Sequence, residues 1–123
     1  MPHSRLFQQI CDEFDLKNGN LILDAGCGAG DLIDKILKTE REVKIFGIDF
    51  SETMLKKARA RFPGKNINLT KVDLDKQLPF EDEYFDKIAG VSVLFAVSSI
   101  EHTLAEYKRV LNNNGKIILV EPT

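Results

Sequence analysis

A short apolar segment runs directly into a turn with glycine at every second position, and this junction constrains the fold more than any other feature of the chain. The segment LILDA (21–25) has the length and apolar content of a strand covered on both faces. The turn contains Gly26, Gly28 and Gly30. Apolar residues at helical spacing follow, at Leu32, Ile33, Ile36 and Leu37. A strand, a glycine turn and a helix in direct succession indicate the first unit of an α/β fold.

Strand-like and helix-like patterns alternate along the rest of the chain, which predicts a parallel sheet with helical crossovers. We expect further strands at 43–49, 67–72, 85–93 and 116–121. We expect helices near residues 4 to 15, after a cap at Ser51, and from a cap at Ser98 or Ser99 through Leu111. Residues 73–84 are expected to form a loop with at most one helical turn, and residues 112–115 a turn. The 123 residues therefore predict a single domain, 1–123, with a doubly wound, Rossmann-like three-layer sandwich and a mostly parallel five-stranded sheet.

Acidic residues follow three of the predicted strands at the point where each strand ends. Asp24 lies at the end of the first strand, Asp49 at the end of the second and Asp73 at the end of the third. In a doubly wound sheet, ligands bind beyond the carboxyl ends of the strands, where the strand order reverses. We therefore expect these carboxylates and the glycine turn to line one ligand-binding crevice.

The spacing of the glycines bears on the kind of ligand. A dinucleotide fingerprint has glycine at its first, third and sixth positions, whereas here the sixth position is Asp31. A carboxylate in the first turn of the helix would repel a pyrophosphate at that helix N-terminus. The GxGxG pattern, preceded by Asp24, suits a ligand that carries an amino group and a carboxylate.

Four blocks in order resemble class I S-adenosylmethionine-dependent methyltransferases, in particular the small-molecule subgroup that includes the quinone-biosynthesis C-methyltransferases (methyltransferase type 11-like). The blocks are LILDAGCGAGDL (21–32), FGIDFSETMLKKARARF (46–62), LPFEDEYFDKI (78–88) and YKRVLNNNGKIILVEP (107–122). The resemblance implies strand order 3-2-1-4-5 and S-adenosyl-L-methionine as cofactor. It also implies a C-terminal antiparallel strand pair, which we do not expect within these 123 residues.

The resemblance implies a role for each residue of the predicted crevice. The loop of Gly26, Cys27, Gly28 and Gly30 would approach the methionine moiety, where a Cβ would intrude. Asp24 would lie beneath that loop near the amino group of the ligand, and Val91 would offer backbone to the methionine part.

The adenosine side is implied in the same way. Asp49 would accept hydrogen bonds from both ribose hydroxyls, and Phe50 would flank the adenine. Asp73 would accept from the exocyclic amine of the adenine, with Leu74 supplying a backbone N–H.

Structural interpretations remain open beside these roles. Asp24 could cap the amides of the loop, and Asp49 could be a turn residue. Asp75 could serve in place of Asp73. Asp86 is as consistent with a structural turn as with ligand contact, and Cys27 is better explained as a packing residue than as a nucleophile.

No acceptor-specific motif and no catalytic base can be assigned from the sequence. His102 is expected to face solvent, and His3 lies near the terminus. The stretch GVSVLFAV (90–97) differs from the Pro-Pro-Tyr type of nucleic-acid amine methyltransferases, and the net charge of -2 predicts no nucleic-acid partner. A small-molecule acceptor is therefore the expectation. The alternatives are a non-catalytic S-adenosylmethionine-binding or scaffold module and an NAD-dependent enzyme.

The remaining expectations concern location and assembly. The chain has no apolar run long enough to span a membrane and no signal-peptide pattern, so we expect a cytoplasmic protein. Two cysteines provide neither a disulfide framework nor a metal-ligand spacing. The strand at 116–121 is expected to form a sheet edge through which the chain self-associates or binds a second polypeptide.

Overall fold

The computed structural model describes residues 4–122 and confirms the alternation of helices and strands. Both predicted helix caps are formed: the Ser51 hydroxyl accepts from the Met54 N–H at 3.2 Å, and the Ser99 hydroxyl accepts from the His102 N–H at 3.2 Å. The strands are β1 Leu21–Ala25, β2 Lys44–Asp49, β3 Ile67–Lys71, β4 Phe85–Val91 and β5 Leu111–Val120. The helices are α1 Ser4–Phe14, α2 Asp31–Leu37, α3 Glu52–Arg61 and α4 Ile100–Val110, with a 3₁₀ turn at Leu94–Ala96.

The five strands form one sheet in the order β3-β2-β1-β4-β5, as predicted. Every neighbouring pair is parallel, so the sheet is wholly parallel over the described residues rather than mostly parallel. Strand β1 is central, since Ala25 at its end pairs with Ile48 of β2 and with Gly90 of β4. The chain proceeds outward from β1 to β3 on one side and from β4 to β5 on the other. The strand order therefore reverses between β1 and β4, where a doubly wound sheet places its ligand crevice.

Each face of the sheet is covered by its own apolar core, which confirms the three-layer arrangement. Helices α1, α2 and α3 bury Phe14, Ile33 and Leu55 on one face. Helix α4 buries Tyr107 and Val110 on the other. No described helix has both the length and the apolar content that crossing a membrane would require.

Two element boundaries differ from the prediction. Strand β4 ends at Val91 rather than Val93, because Ser92 has a φ of 56° and turns the backbone out of the sheet. Helix α4 ends at Val110 and β5 begins at once at Leu111, before the expected turn at residues 112–115. The residues of the expected turn, 112–115, lie inside β5, where they interrupt the regular pairing with β4.

The irregularity is visible in the register of β4 and β5. Phe85 pairs with Leu111, and the next pair is Lys87 with Lys116, so residues 112–115 bulge out opposite Asp86. The Asp86 carboxylate accepts from the Asn112 side-chain amide and thereby holds the bulge in place.

The loop before β4 contains no helical turn and is anchored to α4 by one arginine. The Arg109 guanidinium donates to the carbonyl oxygens of Leu78 and Phe80, each at 2.9 Å. It also forms ion pairs with Asp82 at 2.9 Å and Glu106 at 3.0 Å. This network fixes the loop against the end of α4, near the start of β4.

Candidate functional site

The glycine turn after β1 is tied to the end of β2 by backbone hydrogen bonds. The Gly26 and Cys27 N–H groups both donate to the Ile48 carbonyl, at 2.7 and 2.9 Å. The Gly28 N–H donates to Asp49 Oδ2 at 2.8 Å. The turn and the end of β2 therefore form one unit at the carboxyl edge of the sheet.

Two of the glycines are required for different reasons. Both have positive φ values, 76° at Gly26 and 55° at Gly28, which favour glycine. A Cβ at Gly26 would lie 2.5 Å from Val93 Cγ2, whereas a Cβ at Gly28 would meet nothing within 4 Å. Gly26 thus permits close packing inside the protein, and Gly28 leaves open space above the turn.

Asp24 lies directly under this turn and is nearly inaccessible, with 3% of its surface exposed. Its Oδ2 atom has no hydrogen-bond partner among the described residues. Burial, with a further contribution from Asp49, raises the pKa of Asp24 from 3.8 to about 7. The interpretation of Asp24 as a cap for the loop amides is therefore not favoured, since this oxygen accepts from none of them.

A cavity of about 470 Å³ opens beside Asp24. The glycine turn forms one wall, and residues that the sequence analysis did not assign to the site form the other. The latter include the apolar side chains of Phe7, Leu32 and Met54. Val91, which was predicted, also lines this cavity.

A second cavity of about 440 Å³ lies on the far side of the glycine turn, next to Asp49. Asp49 accepts from the Ser51 N–H at 2.9 Å through Oδ1 and from the Gly28 N–H through Oδ2. A carboxylate has further lone pairs, so these bonds orient Asp49 without using its full capacity. The turn-residue interpretation of Asp49 thus describes its contacts within the protein, and its ligand-binding role stays a prediction.

Phe50 also lines the second cavity and is 64% exposed. The Lys71 ammonium lies 5.1 Å from the centre of its ring. An exposed aromatic face beside a cavity is suited to stack on a planar group. Leu74 lines the same cavity, as predicted.

Asp73 and Asp75 differ in their hydrogen bonds. Asp75 accepts from the Ser98 N–H and the Ser98 hydroxyl, both at 2.8 Å, and these bonds lower its pKa. Among residues 4–122, Asp73 accepts only from the Asp75 N–H, at 2.9 Å through Oδ1. Both line the cavity. Each Asp75 oxygen already accepts from Ser98, whereas Asp73 accepts through one oxygen, which favours Asp73 without excluding Asp75 as a ligand residue.

The wall opposite Asp49 comes from the segment after β4, which the sequence analysis treated partly as strand. Ser92, Val93, Ala96 and Val97 all line the second cavity. The pattern GVSVLFAV is apolar throughout, so it gives no indication of where the strand ends and the wall begins.

Three residues considered earlier have structural roles instead. Asp86 lies at the opposite end of the sheet, where its Oδ2 accepts from the Leu21 N–H at 2.7 Å. His102 does not face solvent freely, because its Nε2 lies 3.0 Å from the Lys76 carbonyl oxygen. The Cys27 thiol is buried, and burial together with Asp24 and Asp49 raises its pKa to about 12, which favours packing over nucleophilic chemistry. His3 lies outside the described residues.

Asp31 would repel a pyrophosphate at the start of α2 less strongly than the sequence indicated, because its charge is paired. Arg61 pairs with Asp31 at 2.7 Å and donates to the Ala29 carbonyl at 3.0 Å. This guanidinium offsets the carboxylate at the start of α2. The acidic character of the crevice rests instead on Asp24, Asp49 and Asp73.

These features fit a ligand that combines a cationic group, a diol and a planar ring. A buried carboxylate with an unpaired oxygen is suited to an ammonium group, since a charged partner compensates its burial. Asp49 is suited to hydroxyl donors and Phe50 to a planar ring. The two cavities share Gly26 and Ser92 in their walls, so one extended ligand can occupy both.

Comparison with known sequences identifies similar proteins that are named as methyltransferases. Residues 22–115 match the methyltransferase domain family. The chain is 36% identical over 107 residues to a demethylmenaquinone methyltransferase of Symbiobacterium thermophilum, covering 84% of this chain and 43% of that protein. It is 33% identical over 110 residues to a 2-phytyl-1,4-naphtoquinone methyltransferase of Trichormus variabilis, covering 85% of this chain and 48% of that protein. The chain thus spans less than half the length of these curated relatives.

Comparison with solved structures shows that the chain has the fold of a protein described as a methyltransferase. The TM-score is 0.87 to a chain of the complex between the Haloferax volcanii Trm112 methyltransferase activator and a protein described as a methyltransferase. The alignment has 24% identity and covers 96% of this chain and 52% of that one. The chain therefore belongs to the S-adenosylmethionine-dependent methyltransferase domain family, and S-adenosylmethionine is the cofactor that this membership implies.

Proposed function

We propose that this chain binds S-adenosylmethionine in the crevice between β1 and β4 and is the cofactor-binding core of a methyltransferase for a small-molecule acceptor. The observation that carries the proposal is Asp24, a buried carboxylate with an unpaired oxygen beside the open space at Gly28. Such a group is costly to the fold unless a cationic partner compensates it.

The first cavity would hold the methionine part of the cofactor. Asp24 would pair with the ammonium group, while the backbone of Gly26, Cys27, Gly28 and Val91 would surround the chain of the ligand. Gly30 does not line this cavity; a Cβ there would lie 2.7 Å from Phe62, so its role is packing within the protein. Gly28 is suited to this role because a side chain there would project into the space that the ligand needs.

The second cavity would hold the adenosine. Asp49 would accept from the ribose hydroxyls while it keeps the Gly28 N–H in place. Phe50 would stack on the adenine, Asp73 would accept from its amine, and the Leu74 backbone would donate to the ring. Binding the two ends of one ligand in this way orients it before reaction.

The contribution of the protein to chemistry would be alignment and exclusion of water. Bound S-adenosylmethionine supplies an electrophilic methyl group that an acceptor displaces from sulfur in line. Apolar side chains beside the glycine turn would exclude water from the methionine side of the crevice. These are Phe7, Leu32 and Met54. Neither described tyrosine nor His102 lines the two cavities, so no described histidine or tyrosine is placed to act as a base.

An apolar ring compound of the quinol class is the proposed acceptor. The apolar wall of the first cavity supports it, because such a surface favours an apolar acceptor over a charged one. The two relatives named above carry the names of demethylmenaquinone and of 2-phytyl-1,4-naphtoquinone, and a quinol is the reduced form of such a quinone.

Calorimetry with S-adenosylhomocysteine and with NAD tests the cofactor assignment. We expect binding of the first and none of the second. Asp49→Ala should weaken binding by ~1.5–3 kcal/mol, because it removes charge-assisted hydrogen bonds to a diol. Glu101→Ala, at an exposed carboxylate on α4, is the control and should bind normally. Binding of NAD alone would overturn the assignment.

Turnover with a panel of quinols, phenols and amines separates an enzyme from a non-catalytic binding module. Methyl transfer to a quinol supports the acceptor class. Cofactor binding with no turnover of any acceptor favours the module, which would then need a partner or a further segment for activity.

The outer edge of β5 is the proposed site of association with a second copy of this chain. The edge carries four consecutive apolar residues, Ile117 to Val120, each only partly buried. Exposed apolar strand edges favour pairing with another chain.

A further inference from the structure

The segment after β4, residues 92–98, closes the cavity that contains Asp49, and we call it the strand-4 segment. Four of its residues line that cavity, and Val93 packs directly on the glycine turn at Gly26. It is short and irregular, with one 3₁₀ turn at Leu94–Ala96. Its position therefore decides how closely the walls of the cavity approach each other.

Beyond Val93, which is buried, and Leu94, which is half-buried, the segment buries little apolar surface that could hold it in place. Phe95, at its centre, is 70% exposed, and Ser92 at its start adopts a left-handed backbone with a φ of 56°. A left-handed non-glycine residue is costly and persists only when its surroundings enforce it. Hydrogen bonds must therefore supply much of the restraint.

A carboxylate beyond the end of β5 supplies the restraint at the first end. Glu121 Oε2 accepts from the Val93 N–H at 3.1 Å, and Glu121 Oε1 accepts from the Phe95 N–H at 3.0 Å. One side chain thus holds two backbone groups of the turn, and hydrogen bonds to a charged group are the stronger kind. The neighbouring Val120 carbonyl accepts from the Ser92 N–H at 2.6 Å.

A second carboxylate supplies the restraint at the other end. Asp75 accepts from both the backbone N–H and the hydroxyl of Ser98. Asp75 follows β3, whereas Glu121 follows β5. The strand-4 segment is therefore held between carboxylates from the two outer strands of the sheet.

We propose that Glu121 and Asp75 are positioning residues that hold the strand-4 segment against the glycine turn, and that Glu121 couples the end of β5 to the affinity of the crevice for its cofactor. The inference rests on the proposed function, since it takes the crevice as the S-adenosylmethionine site. Neither residue needs to touch the ligand. Glu121 acts through the backbone of Val93, which lines the cavity, and of Phe95. Asp75 acts through Ser98, which follows the cavity-lining Val97.

A tryptophan reporter makes the position of the segment measurable. The chain contains no tryptophan, and Phe95 is exposed and lies outside the set of cavity-lining residues. In the Phe95→Trp protein, fluorescence anisotropy without ligand reports the mobility of the segment. Calorimetry on the same protein gives the dissociation constant for S-adenosylhomocysteine.

Glu121→Ala in this background should lower the indole anisotropy and weaken binding about 3- to 10-fold, as expected for the loss of two hydrogen bonds that act indirectly. Glu121→Gln keeps one acceptor oxygen and should restore part of both values. Ser98→Ala should produce a smaller change of the same sign, because the backbone bond to Asp75 remains. Glu81→Ala, at an exposed carboxylate of the loop before β4, should change neither value.

The outcomes separate this inference from the proposed function. Thermal melts first establish that each variant is folded. If the Phe95→Trp parent binds S-adenosylhomocysteine and Glu121→Ala binds equally well with unchanged anisotropy, the inference is wrong and the proposed function stands. If Glu121→Ala weakens binding without changing the anisotropy, the positioning role is wrong. If the wild-type chain binds no S-adenosylhomocysteine, the proposed function fails, and the coupling to affinity fails with it.

Discussion

Two buried side-chain atoms of the described residues have no hydrogen-bond partner, Asp24 Oδ2 and the Tyr107 hydroxyl oxygen. Asp24 lines a cavity, whereas Tyr107 is fully buried in the core beneath α4. Burial raises the pKa of both, and Asp24 contributes to the rise at Tyr107. The unpaired oxygen of Asp24 faces a cavity and is therefore suited to a ligand. The unpaired hydroxyl of Tyr107 lies in the core and therefore reduces the stability of the fold.

Asp24→Asn should make the ligand-free protein more stable at alkaline pH. The pKa of Asp24 is 3.8 in the unfolded chain and about 7 in the folded one, so the folded state binds its proton more tightly. Stability from this residue is therefore lost as the pH rises from about 4 to about 7. We expect Asp24→Asn to be ~1–3 kcal/mol more stable near pH 8 and nearly unchanged near pH 4, by urea denaturation.

The same variant should bind S-adenosylhomocysteine much more weakly, because it removes the charge opposite the ammonium group. A variant that gained no stability near pH 8 would mean that the Asp24 carboxylate is not suppressed in the folded protein. Asp34→Asn, at a solvent-accessible carboxylate on α2, controls for the loss of one negative charge.

Tyr107→Phe should stabilise the protein slightly. The hydroxyl has no partner to lose, and the ring that fills the core remains. Removing a buried unsatisfied polar group should raise the free energy of unfolding by ~0.5–2 kcal/mol in denaturant melts. Tyr84→Phe, at a half-buried ring, should be nearly neutral. A marked loss of stability in Tyr107→Phe would show that the hydroxyl is hydrogen-bonded in solution.

At the scale of the elements, Asp86 joins three strands at the end of the sheet opposite the crevice. It lies in β4, accepts from the Leu21 N–H at the start of β1 and accepts from Asn112 in β5. Its place in a block that resembles a family motif is thereby explained by structure. The residue sets where β1 begins relative to β4 and holds the bulge of β5.

Asp86→Ala should destabilise the fold and leave the crevice intact. We expect a loss of ~2–3 kcal/mol, because the variant leaves a backbone N–H and a side-chain amide without their acceptor. Asn112→Ala removes one of the two contacts and should cost about half as much. The dissociation constant for S-adenosylhomocysteine should not change in either variant. A selective loss of binding at unchanged stability would instead place Asp86 in the site.

The sequence predicted those elements whose local patterns are unambiguous. Alternating periodicities gave the strand and helix order, and Ser51 and the glycine turn marked helix starts that the structure contains. The end of β4 was missed because Val93 continues the apolar pattern, while the turn depends on Glu121, which is distant in sequence. The start of β5 was missed because three asparagines and a glycine are typical of a turn, and only pairing with β4 makes them a bulge.

The sequence also predicted part of the geometry of the candidate crevice, whose ligand-binding roles stay predictions. Strand-end carboxylates could be identified because parallel strands end at one edge of the sheet. The distinction between Asp73 and Asp75 could not, since it depends on Ser98 from the other side of the crevice. The apolar wall formed by Phe7 and Met54 was missed as well, because apolar helix residues carry no feature that separates a cavity wall from a core.

At the scale of the whole molecule, the sheet has two edges of different character. The outer strand β3 is short and mostly polar, with exposed Asn68 and Thr70. The outer strand β5 carries the apolar run from Ile117 to Val120. Polar and charged side chains discourage edge-to-edge pairing, so β5 is the edge at which association is expected.

Sedimentation at micromolar concentration should show the 123-residue chain in a self-associated form. Ile118→Lys should shift it toward the monomer, because a charge on the edge opposes pairing. Thr70→Lys on the opposite edge should have no effect, which makes it the matched control. A monomeric wild-type chain whose β5 amides are protected from hydrogen exchange would contradict the prediction.

The strand order also divides the molecule at the crevice. Strands β1 to β3 come from one continuous stretch of sequence and β4 and β5 from another, and the halves meet along the β1–β4 ladder. Asp49 belongs to the first half and Val93 to the second, and both line the same cavity. A ligand in that cavity would therefore bridge the halves. We expect that a chain cut at the exposed residues 81–83 would reassemble from its two fragments, and that S-adenosylmethionine would tighten their association.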